Sequence, residues 1–268
     1  MKNLVIGQSG GPTAVINASL YGAVKAFRES GADGHVLGMI NGIEGFLADH
    51  VMDLSTDLSD EELELLKLTP AAYLGSCRYK LPADLDSEVY PAIFDNFREM
   101  NIGYFLYVGG NDSMDTVDKL SRYAEKIGSD VKFIGIPKTI DNDLVLTDHT
   151  PGFGSAAKYV ASTVREIVLD ASVYQQRSVT IVEIMGRHAG WLAASAALAT
   201  EYASGPDLIY LPERDFDMDK FLADVDALYK KNGKVFVAVS EGIHYADGTF
   251  VSEAKTSATD GFGHAQLG

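Results

Sequence analysis

Short apolar strands, each closed by a turn and followed by a helical stretch, recur along almost the whole chain, and no other feature constrains the fold as strongly. Apolar runs at 4–7, 35–40, 104–108, 131–136, 179–185, 208–211 and 235–239 read as strands. Segments 13–28, 89–100, 113–127, 155–173, 190–203 and 218–230 carry apolar residues at helical spacing. Ser59-Asp60-Glu61-Glu62 is a capping-box pattern that opens a short helix, with Pro70 as its terminator. Strands alternating with helices mean a mostly parallel sheet covered on both faces. Seven or eight strands are many for one sheet. The chain is therefore expected to form two Rossmann-like α/β domains, 1–152 and 153–268, with the long helix after Asp148 crossing into the second.

Function in doubly wound sheets sits outside the carboxyl ends of the strands. Five turns fall there: 7–12, 109–113, 137–143, 185–190 and 240–242. One cleft between the two domains is expected to collect them. The net charge of −16 argues against a general nucleic-acid or anionic-membrane surface, while leaving room for small anions held by local lysines, arginines and helix N-termini. A single cysteine, Cys77, excludes an internal disulfide framework and suits a reducing compartment. The first residues read as a strand and not as a signal peptide, and the apolar stretch 191–200 is too short to span a bilayer. A cytoplasmic protein is expected.

Gly7-Gln8-Ser9-Gly10-Gly11 follows the first strand, where a tight turn aims backbone N–H groups at an anion. The glycine spacing is not that of a dinucleotide site, and no Gly-Lys-Ser/Thr follows for a Walker A loop. The run does match Gly-x-Ser-x-Gly, the hydrolase nucleophile elbow, with Ser9 as nucleophile; that elbow normally comes after more than one strand. A plain turn without ligand explains the same residues. Gly109-Gly110-Asn111-Asp112-Ser113 is a second such turn. Its glycines admit a phosphate, Asn111 or Asp112 can reach Mg2+ through water, and Ser113 or Asp112 can cap the helix that follows.

The turn Pro137-Lys138-Thr139-Ile140-Asp141-Asn142-Asp143 has the most specific chemistry. A hydroxyl nucleophile needs a carboxylate to take its proton, and a phosphoryl group in flight needs its spread charge neutralised. Asp141 and Asp143 share a side if the turn is extended. A polar turn with Asx hydrogen bonds accounts for any two of these residues, but not for so many together. In Met185-Gly186-Arg187-His188, Arg187 leaves a strand end where a guanidinium grips phosphate, and His188 reads as structural. Arg177 lies at the opposite end of that strand, out of reach of the same cleft within one subunit but not of a neighbour's. Glu241 can accept from sugar hydroxyls.

Taken in order, Gly10-Gly11 with Asn17, Gly75-Ser76-Cys77-Arg78, the 109–113 turn, Thr139-Ile140-Asp141-Asn142-Asp143, Met185-Gly186-Arg187, Ser240-Glu241-Gly242 and Gly263-His264-Ala265-Gln266 resemble the phosphofructokinase family. The resemblance implies a phosphofructokinase-like fold and a glycolytic kinase, that is, a metal-binding, magnesium-dependent transferase acting on fructose 6-phosphate. It implies Asp141 as the base on the 1-hydroxyl and Asp143 as the residue that positions Arg187. Thr139, Met185, Gly186, Arg187, Glu241 and His264 match sugar-phosphate contacts, with Arg177 supplied across a subunit interface of a homodimer or homotetramer. Gly10, Gly11, Arg78, Gly110, Asp112 and Ser113 match the side that binds the phosphoryl donor, and Asn111 stands where the family usually has a metal-associated Asp. Leu267 stands where many members have an Arg on the sugar phosphate.

Nucleotide-using members have a glycine at the place of Asp112 and another at the place of Lys138. Both changes resemble the pyrophosphate-dependent branch, diphosphate:fructose-6-phosphate 1-phosphotransferase. A carboxylate at 112 repels a nucleotide's α-phosphate, and Lys138 adds charge for a small, dense anion. The product set is then fructose 1,6-bisphosphate and orthophosphate. An ATP-dependent 6-phosphofructokinase, an inactive regulatory subunit of the same fold and another sugar-phosphate acceptor are the alternatives. Family chains continue well past the His264 motif, so a fragment is expected.

Overall fold

The computed structural model describes residues 2–202 and 204–252. They form two compact units, 2–138 and 139–252.

The first unit is built on β1 (Asn3–Gln8), β2 (Val36–Met39), β3 (Val51–Asp53), β4 (Ile102–Gly109) and β5 (Lys132–Pro137). They lie in the order β3-β2-β1-β4-β5. β1 pairs parallel to β2 and β4, β4 parallel to β5, and only the edge strand β3 is antiparallel. The period-2 alternation of β1 and β4 divides the core. Val5, Phe105 and Tyr107 face one side, under α2 (Gly42–Leu47), α4 (Val89–Glu99) and α5 (Asn111–Ile127). Leu4, Ile6, Leu106 and Val108 face the other, under α1 (Ile16–Glu29) and α3 (Asp60–Leu66). The chain order reverses between β1 and β4, the kind of crevice where such sheets take ligands.

The second unit holds α6 (Phe153–Ser172), β6 (Ser178–Ile184), α7 (Trp191–Ser195), β7 (Leu208–Tyr210), α8 (Met218–Asn232) and β8 (Lys234–Ser240). Its three strands are all parallel, in the order β6-β8-β7. Val164 and Val168 of α6 pack with Ile184, Leu192, Phe236 and Ala238.

The α/β reading with mostly parallel sheets holds, and several details are corrected. The division falls at Lys138/Thr139 and not near Gly152, because 139–152 folds back on itself inside the second unit. Thr139 bridges Gly152, its N–H donates to the Pro151 carbonyl at 3.2 Å, and Ile140 packs with the α6 core. α1 starts at Ile16, not at residue 13, with Val15 at the cap position and no side-chain cap. The expected helix 190–203 is α-helical only to Ser195 and 3-10 from there to Tyr202. The change comes where the Ser195 hydroxyl donates to the Leu192 carbonyl at 2.6 Å. The capping box at Ser59 forms in full, although α3 ends at Leu66, before Pro70 is reached.

Candidate active site

Three turns of the first unit converge at the carboxyl ends of β1, β4 and β5. The Gly10 N–H donates to the Cys77 carbonyl at 3.1 Å, and Ser76 Oγ donates to the Gly10 carbonyl at 2.6 Å. The segment carrying Arg78, which is itself exposed, is thereby tied to the turn carrying Gly10 and Gly11. A β-carbon on Gly10 would lie 4.0 Å from the Gly110 amide nitrogen, and one on Gly110 would lie 3.9 Å from the Lys138 carbonyl oxygen. The Lys138 N–H donates to the Gly109 carbonyl at 2.9 Å, and the lysine is only 7% exposed.

The start of α5 corrects two expectations. The cap position is Gly110, with no side-chain cap bond, so neither Asp112 nor Ser113 caps the helix. Asn111, Asp112 and Ser113 occupy its first turn instead, where the Asp112 carboxylate lies in the positive field of the helix N-terminus. Asn111 is exposed and Asp112 half-buried, whereas Ser113 is buried with its hydroxyl against Ser9 Oγ. Gly109 is required here, since any β-carbon on it would lie 1.9 Å from Ser113 Oγ. Among the described residues, no three His, Cys, Asp or Glu side chains cluster so as to hold a metal ion.

In the second unit, the turn after Thr139 is not extended. Asn142 adopts φ 61°, so the turn lacks the extended backbone that would put Asp141 and Asp143 on one side; Asp141 is half-buried and Asp143 exposed. Asn142 Oδ1 accepts the Thr150 N–H at 2.9 Å, and its Nδ2 donates to the Asp148 carbonyl at 3.1 Å. Thr150 Oγ1 closes the loop on the Thr139 carbonyl at 2.8 Å. Thr139 Oγ1 accepts the Asp141 N–H at 3.0 Å, which orients the backbone that carries that carboxylate.

The ends of β6 and β8 form the other part of this unit's site. Glu241 accepts the Gly186 N–H at 3.2 Å, and Ser240 Oγ donates to the Gly186 carbonyl at 2.6 Å. Met185 is 59% exposed. Arg187 is half-buried, and its Nε is buried without a hydrogen-bond partner. A cavity of about 390 Å³ beside Met185 is lined largely by apolar side chains, Ile140, Val160, Val182 and Leu192 among them. Arg177 is exposed and sits before β6, where it stacks over the Tyr229 ring at 4.4 Å and donates to the Tyr229 and Lys230 carbonyls at the end of α8. His264 lies outside the described residues.

Sequence reasoning missed the buried braces. Gln8 Nε2 donates to Asn17 Oδ1 at 2.9 Å, while Gln8 Oε1 and Asn17 Oδ1 accept the Leu74 and Tyr73 N–H groups. Both amides are fully buried. The available signal was a polar residue, Gln8, ending an otherwise apolar strand. Asn142 belonged to the motif of the 137–143 turn, but its bonds to Asp148 and Thr150 carried no sequence signal.

Residues 3–268 match the phosphofructokinase family. A relative from Xanthomonas campestris pv. campestris, described as pyrophosphate–fructose 6-phosphate 1-phosphotransferase, is 47% identical over 99% of this chain and 64% of its own length. One of the same description from Halomonas elongata is 45% identical over 99% of the chain and 64% of its own. The solved pyrophosphate-dependent phosphofructokinase of Nitrosospira multiformis superposes with a TM-score of 0.82 at 42% identity, over 92% of this chain and 62% of that one. The chain thus spans about 64% of the length of the curated relatives it matches.

Proposed function

This chain belongs to the phosphofructokinase family, and on that footing we propose that it moves a phosphoryl group from pyrophosphate to the 1-hydroxyl of fructose 6-phosphate. Fructose 1,6-bisphosphate and orthophosphate are the products, and the reaction is reversible. The observation that carries the donor assignment is the association of buried Lys138 with the Gly109–Gly110 turn that leads into Asp112. A buried lysine whose backbone is tied to the turn that opens an uncapped helix suits a compact, multiply charged anion. A carboxylate two residues past Gly110 disfavours the longer phosphate chain of a nucleotide.

In this reading the amides at Gly11 and Gly110, with Lys138 and Arg78, hold the donor phosphates, and Gly10 shapes the turn between them. Asp141 takes the proton of the sugar 1-hydroxyl onto its carboxylate. Thr139, Met185, Gly186, Arg187 and Glu241 hold the sugar phosphate, and His264 joins them by family resemblance. The orphaned Arg187 Nε supports an anion there. Asp143 orients Arg187, and a second subunit supplies Arg177, so the active form is a homodimer or homotetramer in the cytoplasm. Magnesium, when bound, neutralises charge on the donor oxygens, and it fits as an ion held mainly by phosphate and water, with Asn111 or Asp112 as the protein groups in reach.

The test is fructose 6-phosphate phosphorylation by the full-length protein with Mg2+, with pyrophosphate and ATP compared side by side. Turnover with pyrophosphate alone is expected. Turnover with ATP overturns the donor assignment, and turnover with neither overturns the activity.

A further inference from the structure

Ser9 occupies the centre of a nucleophile-like Gly-x-Ser-x-Gly run, yet it is not placed as a nucleophile. It is 4% exposed, and its hydroxyl meets the hydroxyl of Ser113, which is 3% exposed. The Ser9 N–H donates to the Val108 carbonyl at 3.0 Å, so its backbone rides on the end of β4. Beneath the pair, the buried Tyr107 hydroxyl contacts Cys77 Sγ at 3.5 Å and accepts the Ile43 N–H at 3.4 Å. Burial, reinforced by the neighbouring Cys77, holds the Tyr107 hydroxyl neutral, with a weaker opposing pull from its hydrogen bond to Ser9. Ser9 therefore has hydroxyl partners and no base.

We propose that Ser9 is a positioning residue for the pyrophosphate site. The Ser9–Ser113 hydrogen bond joins the turn after β1 to the first turn of α5 and sets the gap between the Gly11 amide and those at the start of the helix. Three observations carry this. The helix start has no side-chain cap that would otherwise hold it in register. Gly109, flanked by the two hydroxyls, leaves them the space a β-carbon would fill. Gly10 and Gly110 approach closely, so a small slip of either turn changes the spacing of the two turns. A buried hydroxyl pair has no water to compete with it, and removing one member leaves the other unsatisfied. Groups that bind an anion jointly lose affinity when their spacing drifts by about 0.5 Å.

This inference rests on the donor site proposed above. The test uses Ser9→Ala, Ser113→Ala and the double variant in the full-length protein. Pyrophosphate binding is measured by calorimetry without acceptor, and KM is measured for each substrate. Each single variant is expected to weaken pyrophosphate binding roughly three- to ten-fold. The double variant should be no weaker than the singles, and the KM for fructose 6-phosphate should not move, because its proposed contacts among the described residues belong to the second unit. A merely structural role would lower the melting temperature without that split. If Ser9→Ala does not fold, Ser113→Ala removes the same bond and carries the same test. Unchanged pyrophosphate affinity, additive losses or equal losses for both substrates overturn the inference. Wild-type protein that does not bind pyrophosphate overturns the donor reading, and the inference with it.

Discussion

The carbonyl oxygen of Arg187 occupies the space that any side chain at Gly242 would need, with a β-carbon there lying 1.8 Å away. The turn after β8 thus packs directly on the backbone of the arginine after β6, and Ser240 and Glu241 bind Gly186 on the same side. Gly242→Ala must displace backbone and not a flexible side-chain tip. We expect a loss of about 1–3 kcal/mol in unfolding free energy, typical of overpacking. The KM for the sugar phosphate should rise together with it. Urea denaturation and steady-state kinetics on the same preparation check both.

Asp141→Asn keeps the shape of the side chain and removes its ability to take a proton. kcat should fall by about 10²–10⁴, the usual contribution of a positioned base. Circular dichroism and the melting curve should stay at wild type. An unchanged kcat would move the base elsewhere.

Replacing Asp112 and Lys138 together by glycine should admit ATP as donor and weaken pyrophosphate use. Lys138 is buried, so the single change Lys138→Gly also opens a cavity, and Asp112→Gly alone is the cleaner first step. No gain in ATP turnover from the pair would detach donor choice from these two positions.

Asn142→Ala deletes one buried and one partly buried bond that hold 139–152 in shape. A cost of about 1–3 kcal/mol follows from the unsatisfied partners and the strain of a left-handed alanine. Hydrogen exchange should speed up at the Thr150 amide before it does in β6 or β8.

Glu64 ties α3 to α1. Its carboxylate meets Lys67, Tyr21 and Lys25, and these hydrogen bonds, Lys67 first, hold its pKa near about 2 against the usual 4.5. A carboxyl depressed in the folded state stabilises above its unfolded pKa, and that contribution is lost as pH falls through the folded one. Wild type should exceed Glu64→Gln in urea midpoint at pH 7, and the gap should narrow as pH is lowered from 4.5 toward 2. The side chain is well exposed, so added salt should shrink the gap as well.

Much of this protein was legible before any coordinates. The alternation of short apolar strands with helical stretches implied layered parallel sheets, and the capping box at Ser59 formed as its pattern required. Asp141, Arg187 and Lys138 stand out in the sequence because polar residues so close behind apolar strands need a reason. The short helix α2 and the antiparallel strand β3 were not legible. Each is too brief for a periodic signal, and each is stabilised by what it packs on.

The sequence by itself determined the alternation of strand and helix, the faces that are apolar and the residue types at each strand end, because these depend on neighbours within a few positions. Only the tertiary structure decided that Asn142 turns left-handed. It alone placed the domain division at Lys138 and not fourteen residues later, turned Ser113 inward onto Ser9 and sent Arg177 to the end of α8. Those outcomes hinge on hydrogen bonds between residues up to about a hundred positions apart, such as Ser9 with Ser113. A buried polar group accepts whichever partner the packed chain brings to it, and no local pattern names that partner.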